Sequence, residues 1–462
     1  MRQPDVSLIQ VREYATLSLE KGEESLDFAR ISDTTYEWLV DCIEDKKLYA
    51  QIGGSYIKLN SQVGYIEAPD GQCIEILPKI ESPSTLMSKD ERINAVRNIL
   101  QEMVAATLHL KGKKFGSGHL KPNQLAIHEW IYFQFLTELI QLLKLGLRGR
   151  YELIPSEERF LRGKLNLNEV IRQRPGKSNY FPLFYDQFNY SRIENRLIKS
   201  ALEIVFSHTK ENGNGYLANE FSQRMAEISA LDSSHYNFGN WEESKLMQHY
   251  EEVFPWCRLI LERINPTFSK GKRKGLTFLF KMDELFENYV GLFLLNNLKS
   301  VDVGLQKRPY FLLYHTTKGG VDINLFNLQP DITIMDKNRV IIADTKWKII
   351  NESLDNSTNK YNISQSDIYQ MLGYGYRYQH EDKECRDLLL IYPYSETLSC
   401  MLPPFYSCAE EDKQLRLWVI PFAFGFEAGA ISKGLVVDYN LEAFQRSHLF
   451  PVFHDNKTVN FG

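Results

Sequence analysis

The stretch Pro330–Lys348, PDITIMDKNRVIIADTKWK, decides how the C-terminal part of this chain folds. Two β-type runs, DITIM and RVIIADTKW, flank the polar turn Asp336-Lys337-Asn338-Arg339 and predict a hairpin. With the hairpin centred between Lys337 and Asn338, antiparallel partners have position numbers adding to 675, and Asp331 falls opposite Asp344. Directly opposed side chains stand about 4.5–5.5 Å apart at Cβ, and two carboxylates at that spacing repel unless positive charge lies between them. Period-two alternation puts Lys346 on the strand face of Asp344. Two hard oxygen donors suit Mg²⁺, or Mn²⁺, and the lysine can orient or deprotonate a water for attack on a phosphodiester. Charged pairs on strands are more often solvated edge residues, but Asp344 interrupts the apolar run Val340–Ala343, where a carboxylate needs a partner or a metal. A slip of one residue in the register would dissolve the pair.

Downstream, Ser364 stands at a helix N-cap with Asp367 at the third helical position, a capping-box arrangement, and Ile363 and Ile368 stand where a hydrophobic staple would be. Gln370 and Tyr374 lie four positions apart on that helix, so both can point at one substrate backbone or at Lys346. Upstream, Phe286, Tyr289, Val290, Phe293, Leu294 and Leu298 trace one apolar helix face, preceded by the basic run SKGKRKG at 269–275. From there on, strand-like runs separated by turns and one clear helix give an α+β arrangement.

The chain has 462 residues, and about 150 per domain suggests about three units. Residues 1–85 carry the β-type runs SYIKL, GYIEA and CIEILPKI, with Pro69-Asp70-Gly71 as turn chemistry, and read as a β-rich unit. Residues 86–266 read as a mostly helical middle domain, and 267–462 as the α/β part. An apolar fraction of 43% excludes collagen-like and disordered classes. The formal charge of -5 argues that any polyanion site is a local basic patch. Such patches are Lys111–Lys114, Lys270–Lys274 (with Lys272 and Arg273), and the group Arg162, Lys164, Arg172, Arg174 and Lys177. Six scattered cysteines lack zinc spacing, the start MRQPDVSLIQ lacks a secretory apolar core, and no stretch reaches about 18 apolar residues, so a reducing cytoplasm and no membrane are expected. His128-Glu129 lacks the second histidine of a zinc protease motif, and GSGHLKP lacks the Gly-Lys-Ser/Thr ending of a P-loop, so no nucleotide hydrolysis is expected of this chain.

The order PD, DTK, QxxxY resembles the PD-(D/E)xK nuclease superfamily in its RecB-like form, with Asp where the middle acid is often Glu. QPDITI, VIIADTKWK, ISQSDIYQMLGYGYRY and LLLIYP are similar to the nuclease region of the McrC family, the cleavage subunits of McrBC restriction systems. RGKLNLNEVI (Arg162–Ile171) and FYDQFNYSRIENRLIKSAL (Phe184–Leu202) resemble that family's middle section, so the resemblance spans about 162–393. It implies a restriction-endonuclease-like core in which Asp331 and Asp344 ligate Mg²⁺, Lys346 is the catalytic lysine, and Gln370 and Tyr374 position substrate or lysine. Glu287, in DELFENYV, corresponds to an acid that some superfamily members carry on the preceding helix and would then be a third metal ligand, or is a solvated helix charge. The resemblance also implies DNA contact around Arg162, Lys164, Arg172 and Arg174, and docking of residues 1–85 to an AAA+ GTPase motor. The expected function is Mg²⁺-dependent cleavage of 5-methylcytosine-modified DNA. Two alternatives are a scaffold that mainly activates the GTPase and a stand-alone RecB-like repair nuclease.

Overall fold

The computed structural model describes residues 8–80, 88–108, 124–177, 179–242, 244–263, 265–268, 274–307, 310–379, 384–408, 410, 414–425, 432–438, 440–454 and 459–461. The chain divides into two compact units: 1–124, 269–273 and 279–462 form one, and 125–268 with 274–278 form the other.

The first unit begins with a β-rich region, as its sequence predicts. Leu8–Arg12 pairs in parallel with Cys73–Leu77, which pairs antiparallel with Gln62–Glu67. The Pro69-Asp70-Gly71 turn closes that last pairing through Gly71 at φ +90°, a backbone conformation glycine adopts without steric cost. The helix Asp33–Glu44 is an addition that the sequence reading did not contain. Its threonines and other β-branched residues dilute helix propensity, but Ser32 caps it and Trp38, Leu39 and Cys42 bury against Leu17, Ile57 and Ile74. Tertiary burial, not propensity, makes this segment helical.

The β-rich region is not a separate domain. Leu279 belongs to the same hydrophobic core. Helix Lys89–Thr107, started by a Ser88/Glu91 capping box, touches helix Met282–Asn297, where the Tyr289 hydroxyl donates to Glu102 at 2.7 Å. The expected boundary near residue 85 is thus a change of local pattern inside one packed unit.

The C-terminal part of this unit is a mixed sheet, eight-stranded among the described residues. Its path runs Asp302–Leu305, Ile332–Asp336, Arg339–Thr345, Asp387–Pro393, Arg416–Ala423, Gly434–Val437 and Val459–Phe461, with Phe405–Tyr406 paired beside Arg416–Ala423. The three strands from Arg339 to Ala423 in that path are parallel, and helix Gln365–Tyr378 forms the crossover between the first two. Its residues Met371, Tyr374 and Tyr378 bury against Val340, Ile342, Leu388, Leu390, Leu417 and Val419. Residues beyond 395 therefore complete the sheet. They are fastened by fully buried Asp387, which accepts from Arg416 (2.8 Å), the Trp418 indole (2.8 Å) and the His448 backbone N–H (3.0 Å).

The second unit packs helices Ile127–Leu145, Ile193–His208, Asn212–Arg224 and Phe254–Arg263, with Trp130 and Trp256 in an edge-to-face pair at 5.5 Å. The region is mostly helical, as its sequence predicts, but it also contains a three-stranded antiparallel sheet of Arg150–Glu158, Phe181–Asn189 and Lys164–Leu165 that the sequence does not announce. Arg150–Glu158 is rich in charge, Phe181–Asn189 is a near-continuous aromatic and apolar run, and both contain proline and bury only part of their surface, so neither shows the clean apolar alternation that marks a strand in sequence. Among the described residues no helix is long and apolar enough to cross a membrane.

His128-Glu129, read in sequence as an incomplete zinc motif, has a structural role. Buried Glu129 accepts from Thr209 Oγ1 (2.7 Å), the Lys210 N–H (2.5 Å), the Glu211 N–H (3.2 Å) and Asn214 Nδ2 (2.8 Å). It thereby fixes the turn between two helices. Glu129→Ala strands these donors and is expected to lower stability by about 3 kcal/mol, read as a shift in urea midpoint; a change under about 1 kcal/mol would refute the role.

Candidate functional site

The hairpin forms in the register its sequence predicts. Ile332 pairs with Ala343, Thr333 with Ile342, Ile334 with Ile341 and Met335 with Val340, all adding to 675. Lys337 takes φ +50° in the turn that closes it. Asp331 precedes the paired strand by one residue and faces the end that carries Asp344. The neighbouring parallel strand places Leu390 beside Asp344 and Ile391 beside Thr345, and the Lys346 N–H donates to Ile391 O at 2.9 Å. Asp344 and Lys346 therefore project from the interior of a sheet, a rigid mount for a reacting group.

The side chains join into one network. Asp331 Oδ2 accepts from the Thr345 N–H (2.7 Å) and its hydroxyl (2.9 Å). The Lys346 ammonium lies 2.5 Å from Asp344, whose residue is only 1% exposed. Lys346 also donates to Gln370 Oε1 at 3.2 Å, and the Gln370 amide donates to Tyr374 Oη at 2.8 Å while standing 3.4 Å from Asp344 Oδ1. Tyr374 in turn donates to the Gln329 carbonyl at 3.0 Å, next to the hairpin it serves. The i, i+4 pair on the crossover helix thus turns toward the two aspartates and the lysine. Ser364 is the N-cap of this helix, but the capping box does not form. Its hydroxyl engages Ser366 at 2.7 Å, and Asp367 pairs with Lys348 at 2.8 Å, because a cation near the site outcompetes the backbone N–H for that carboxylate.

Electrostatics show strain of one sign. Burial, then repulsion from Glu287, pushes Asp331 up to about 6, and burial, then repulsion from Asp331, pushes Asp344 up to about 6. Burial and the Asp344 charge also raise Glu287. Burial would depress the Lys346 ammonium, but Asp344 outweighs it and holds the lysine charged above its ordinary value. One ammonium leaves the carboxylates under-neutralised, which fits a divalent cation. Among the described residues no three or more His, Cys, Asp or Glu side chains form a metal-binding group. Glu287 is held by Gln306 Nε2 at 2.7 Å, and Gln306 also donates its N–H to the Asp331 carbonyl at 2.9 Å. Asp331 and Asp344, with Glu287 beside them, are the carboxylates that could hold a cation, and Mg²⁺ commonly binds through one or two carboxylates with water and substrate oxygens completing its shell.

The basic residues divide. Arg162, Lys164, Arg172 and Arg174 are exposed on the small sheet and short helix of the second unit, with Arg162 over the Tyr185 ring at 4.2 Å. Lys177 there pairs with Glu157 at 2.6 Å. Lys111–Lys114, Lys272 and Arg273 lie outside the described residues. Two acids at the site escaped the sequence reading. Asp283, one helical turn before Glu287, accepts the Trp347 backbone N–H, a spacing visible in DELFE; Glu13 bonds the Trp347 indole across 334 residues, which no local pattern signals.

The profile of the McrBC family, described as McrBC 5-methylcytosine restriction system component, matches residues 57–393. The fold and the match define a component of a restriction system. The chain belongs to the McrBC family. It is 25% identical over 268 residues to the type IV methyl-directed restriction enzyme EcoKMcrBC of Escherichia coli (strain K12), covering 56% of this chain and 74% of that protein. In fold it is similar to a chain in the half-complex of a tetradecameric assembly of Thermococcus gammatolerans McrB AAA+ hexamers with bound McrC. The TM-score is 0.59 at 18% identity, over 90% of this chain and 95% of that one.

The raised carboxylates set a pH dependence. Their folded-state values lie above the ordinary range near 4, so their protonation favours the fold, fully below about pH 4 and progressively less as pH rises through 6. With metal chelated, each of the two carboxylates is expected to cost about 3 kcal/mol of stability between pH 4 and 7.5. Asp331→Asn removes one charge and relaxes the other, so its stability falls less steeply over that range; parallel wild-type and variant curves would contradict the coupling.

Proposed function

We propose that this chain is the DNA-cleaving subunit of a modification-dependent restriction system, a Mg²⁺-dependent endonuclease of PD-(D/E)xK type. The observation that carries this reading is the register that sets Asp331 against Asp344 with the Lys346 ammonium at 2.5 Å from Asp344. Asp331 and Asp344 would hold the cation, Mg²⁺ or Mn²⁺, which when bound supplies Lewis-acid stabilisation of charge developing on a phosphodiester. Lys346 holds a proton at Nζ beside the reacting phosphate and balances negative charge there. Gln370 fixes Lys346 through its Oε1 and Tyr374 through its amide, so the crossover helix sets the direction of the ammonium. Glu287 adds its charge to the field at Asp331 and stands as the candidate third carboxylate at the cation.

The substrate class follows from the family description, which names 5-methylcytosine, and from the methyl-directed activity in the E. coli relative's name. The archaeal assembly holds McrB AAA+ hexamers with bound McrC, and we extend that arrangement to this chain: an AAA+ GTPase partner moves DNA, and residues 1–85 take part in engaging it. This division of labour agrees with the lack of a P-loop sequence here. Exposed Arg162, Lys164, Arg172 and Arg174 are proposed to meet DNA phosphates, each contact adding to the salt dependence of binding.

Asp344→Ala and Lys346→Ala are each expected to reduce cleavage of methylated DNA by about 10³-fold or more while the complex with the motor partner still forms on gel filtration. Cleavage at the wild-type rate by either variant would sink the assignment.

A further inference from the structure

Trp347 follows Lys346 directly and is gripped at two points. Its backbone N–H donates to Asp283 at the start of helix Met282–Asn297. Its indole Nε1 donates to both oxygens of Glu13, at 2.8 Å to Oε1 and 3.0 Å to Oε2. Phe286 packs edge-on against the indole ring at 5.3 Å. Glu13 is itself immobilised: it is fully buried, its Oε1 accepts the Lys79 N–H at 2.7 Å, and its own N–H donates to Leu77 O at 2.9 Å. Tyr14, next in the chain, takes φ +63°, a left-handed conformation that is costly for a large side chain and turns the strand end inward.

A buried carboxylate held by neutral donors is expensive, and burial pushes Glu13 up to about 7. A core contact alone would be met at lower cost by an apolar side chain against the indole ring. What the carboxylate adds is direction, because it fixes the indole N–H and with it the rotation of the peptide that carries Lys346. We propose that Glu13 is a positioning residue for Lys346, acting from the N-terminal β region through the Trp347 indole. Lys346 is then set from three sides: the Ile391 carbonyl on its own N–H, Gln370 on its ammonium, and the Glu13–Trp347 bond on the following residue. The consequence is that the N-terminal segment also belongs to the cleavage apparatus, so that any part it takes in engaging a partner is not separable from the site.

The catalytic consequence rests on the nuclease reading above, whereas the geometric claim does not, and the test separates them. The full chain, with Glu13→Ala, Glu13→Gln and Trp347→Phe variants, is labelled with limiting acetic anhydride, and Lys346 acetylation is followed by peptide mass spectrometry against the other lysines. Glu13→Ala and Trp347→Phe are expected to speed Lys346 labelling about fivefold with the remaining lysines unchanged, which also shows that the chain stays folded. Glu13→Gln keeps an oxygen that accepts the indole N–H and is expected to stay within about twofold of wild type. Wild-type Lys346 labelling in both Glu13→Ala and Trp347→Phe overturns the proposal, as does a Glu13→Gln variant as reactive as Glu13→Ala. In cleavage assays with Mn²⁺, Glu13→Ala is expected to lower the single-turnover rate about tenfold at an unchanged Mn²⁺ half-saturation. Failure of the wild-type chain to cut methylated DNA together with its motor partner would refute the nuclease reading and leave the labelling result to decide the role of Glu13.

Discussion

Two carboxylates facing each other across a hairpin, Asp344 buried and Asp331 half-buried, are the constraint around which the first unit is arranged. Left alone, Asp331 and Asp344 would favour a slipped register or an open hairpin. The sheet prevents this by pairing the Asp344 strand on both sides, with Ile332–Asp336 and with Asp387–Pro393. Residues beyond 395 extend the sheet further and are pinned by Asp387. Rigidity bought in this way keeps the two acids together at a cost that a bound cation can return.

Buried and half-buried acids serve two different purposes in this chain. Glu129 and Asp387 are saturated by N–H and hydroxyl donors and act as fasteners for turns and strand ends. Asp331, Asp344 and Glu287 instead crowd one another, and burial with mutual repulsion raises all three. Crowding of this kind is what the proposed cation site calls for, whereas a fastener is met by donors alone. Glu13 stands between the classes: it is donor-bonded like a fastener, but its partner Trp347 is adjacent to Lys346.

The hairpin was legible because its information is local. Alternation, a polar turn and the positions of two aspartates determine the register, and the i, i+4 spacing of Gln370 and Tyr374 determines their shared face. What escaped was long-range or depended on competition. The small sheet of the second unit is stabilised by pairing between strands with little apolar alternation, and helix Asp33–Glu44 by burial of Trp38 and Leu39. The capping box at Ser364 was a sound local reading that Lys348 overrode by taking Asp367. Glu13 lies 334 residues from Trp347, so only the folded chain reveals it. The formal charge of -5 likewise says little about DNA, since the acids that matter are buried in pairs while Arg162, Lys164, Arg172 and Arg174 stand exposed.

The central claim is that Asp331 and Asp344 together form a site for one divalent cation. Mn²⁺ titration of the full chain, followed by loss of the free-ion electron paramagnetic resonance signal, tests it directly. The account predicts one site in the wild-type chain that is lost in both Asp331→Asn and Asp344→Asn. Wild-type Mn²⁺ affinity in either variant, or no binding by the unaltered chain, would contradict it.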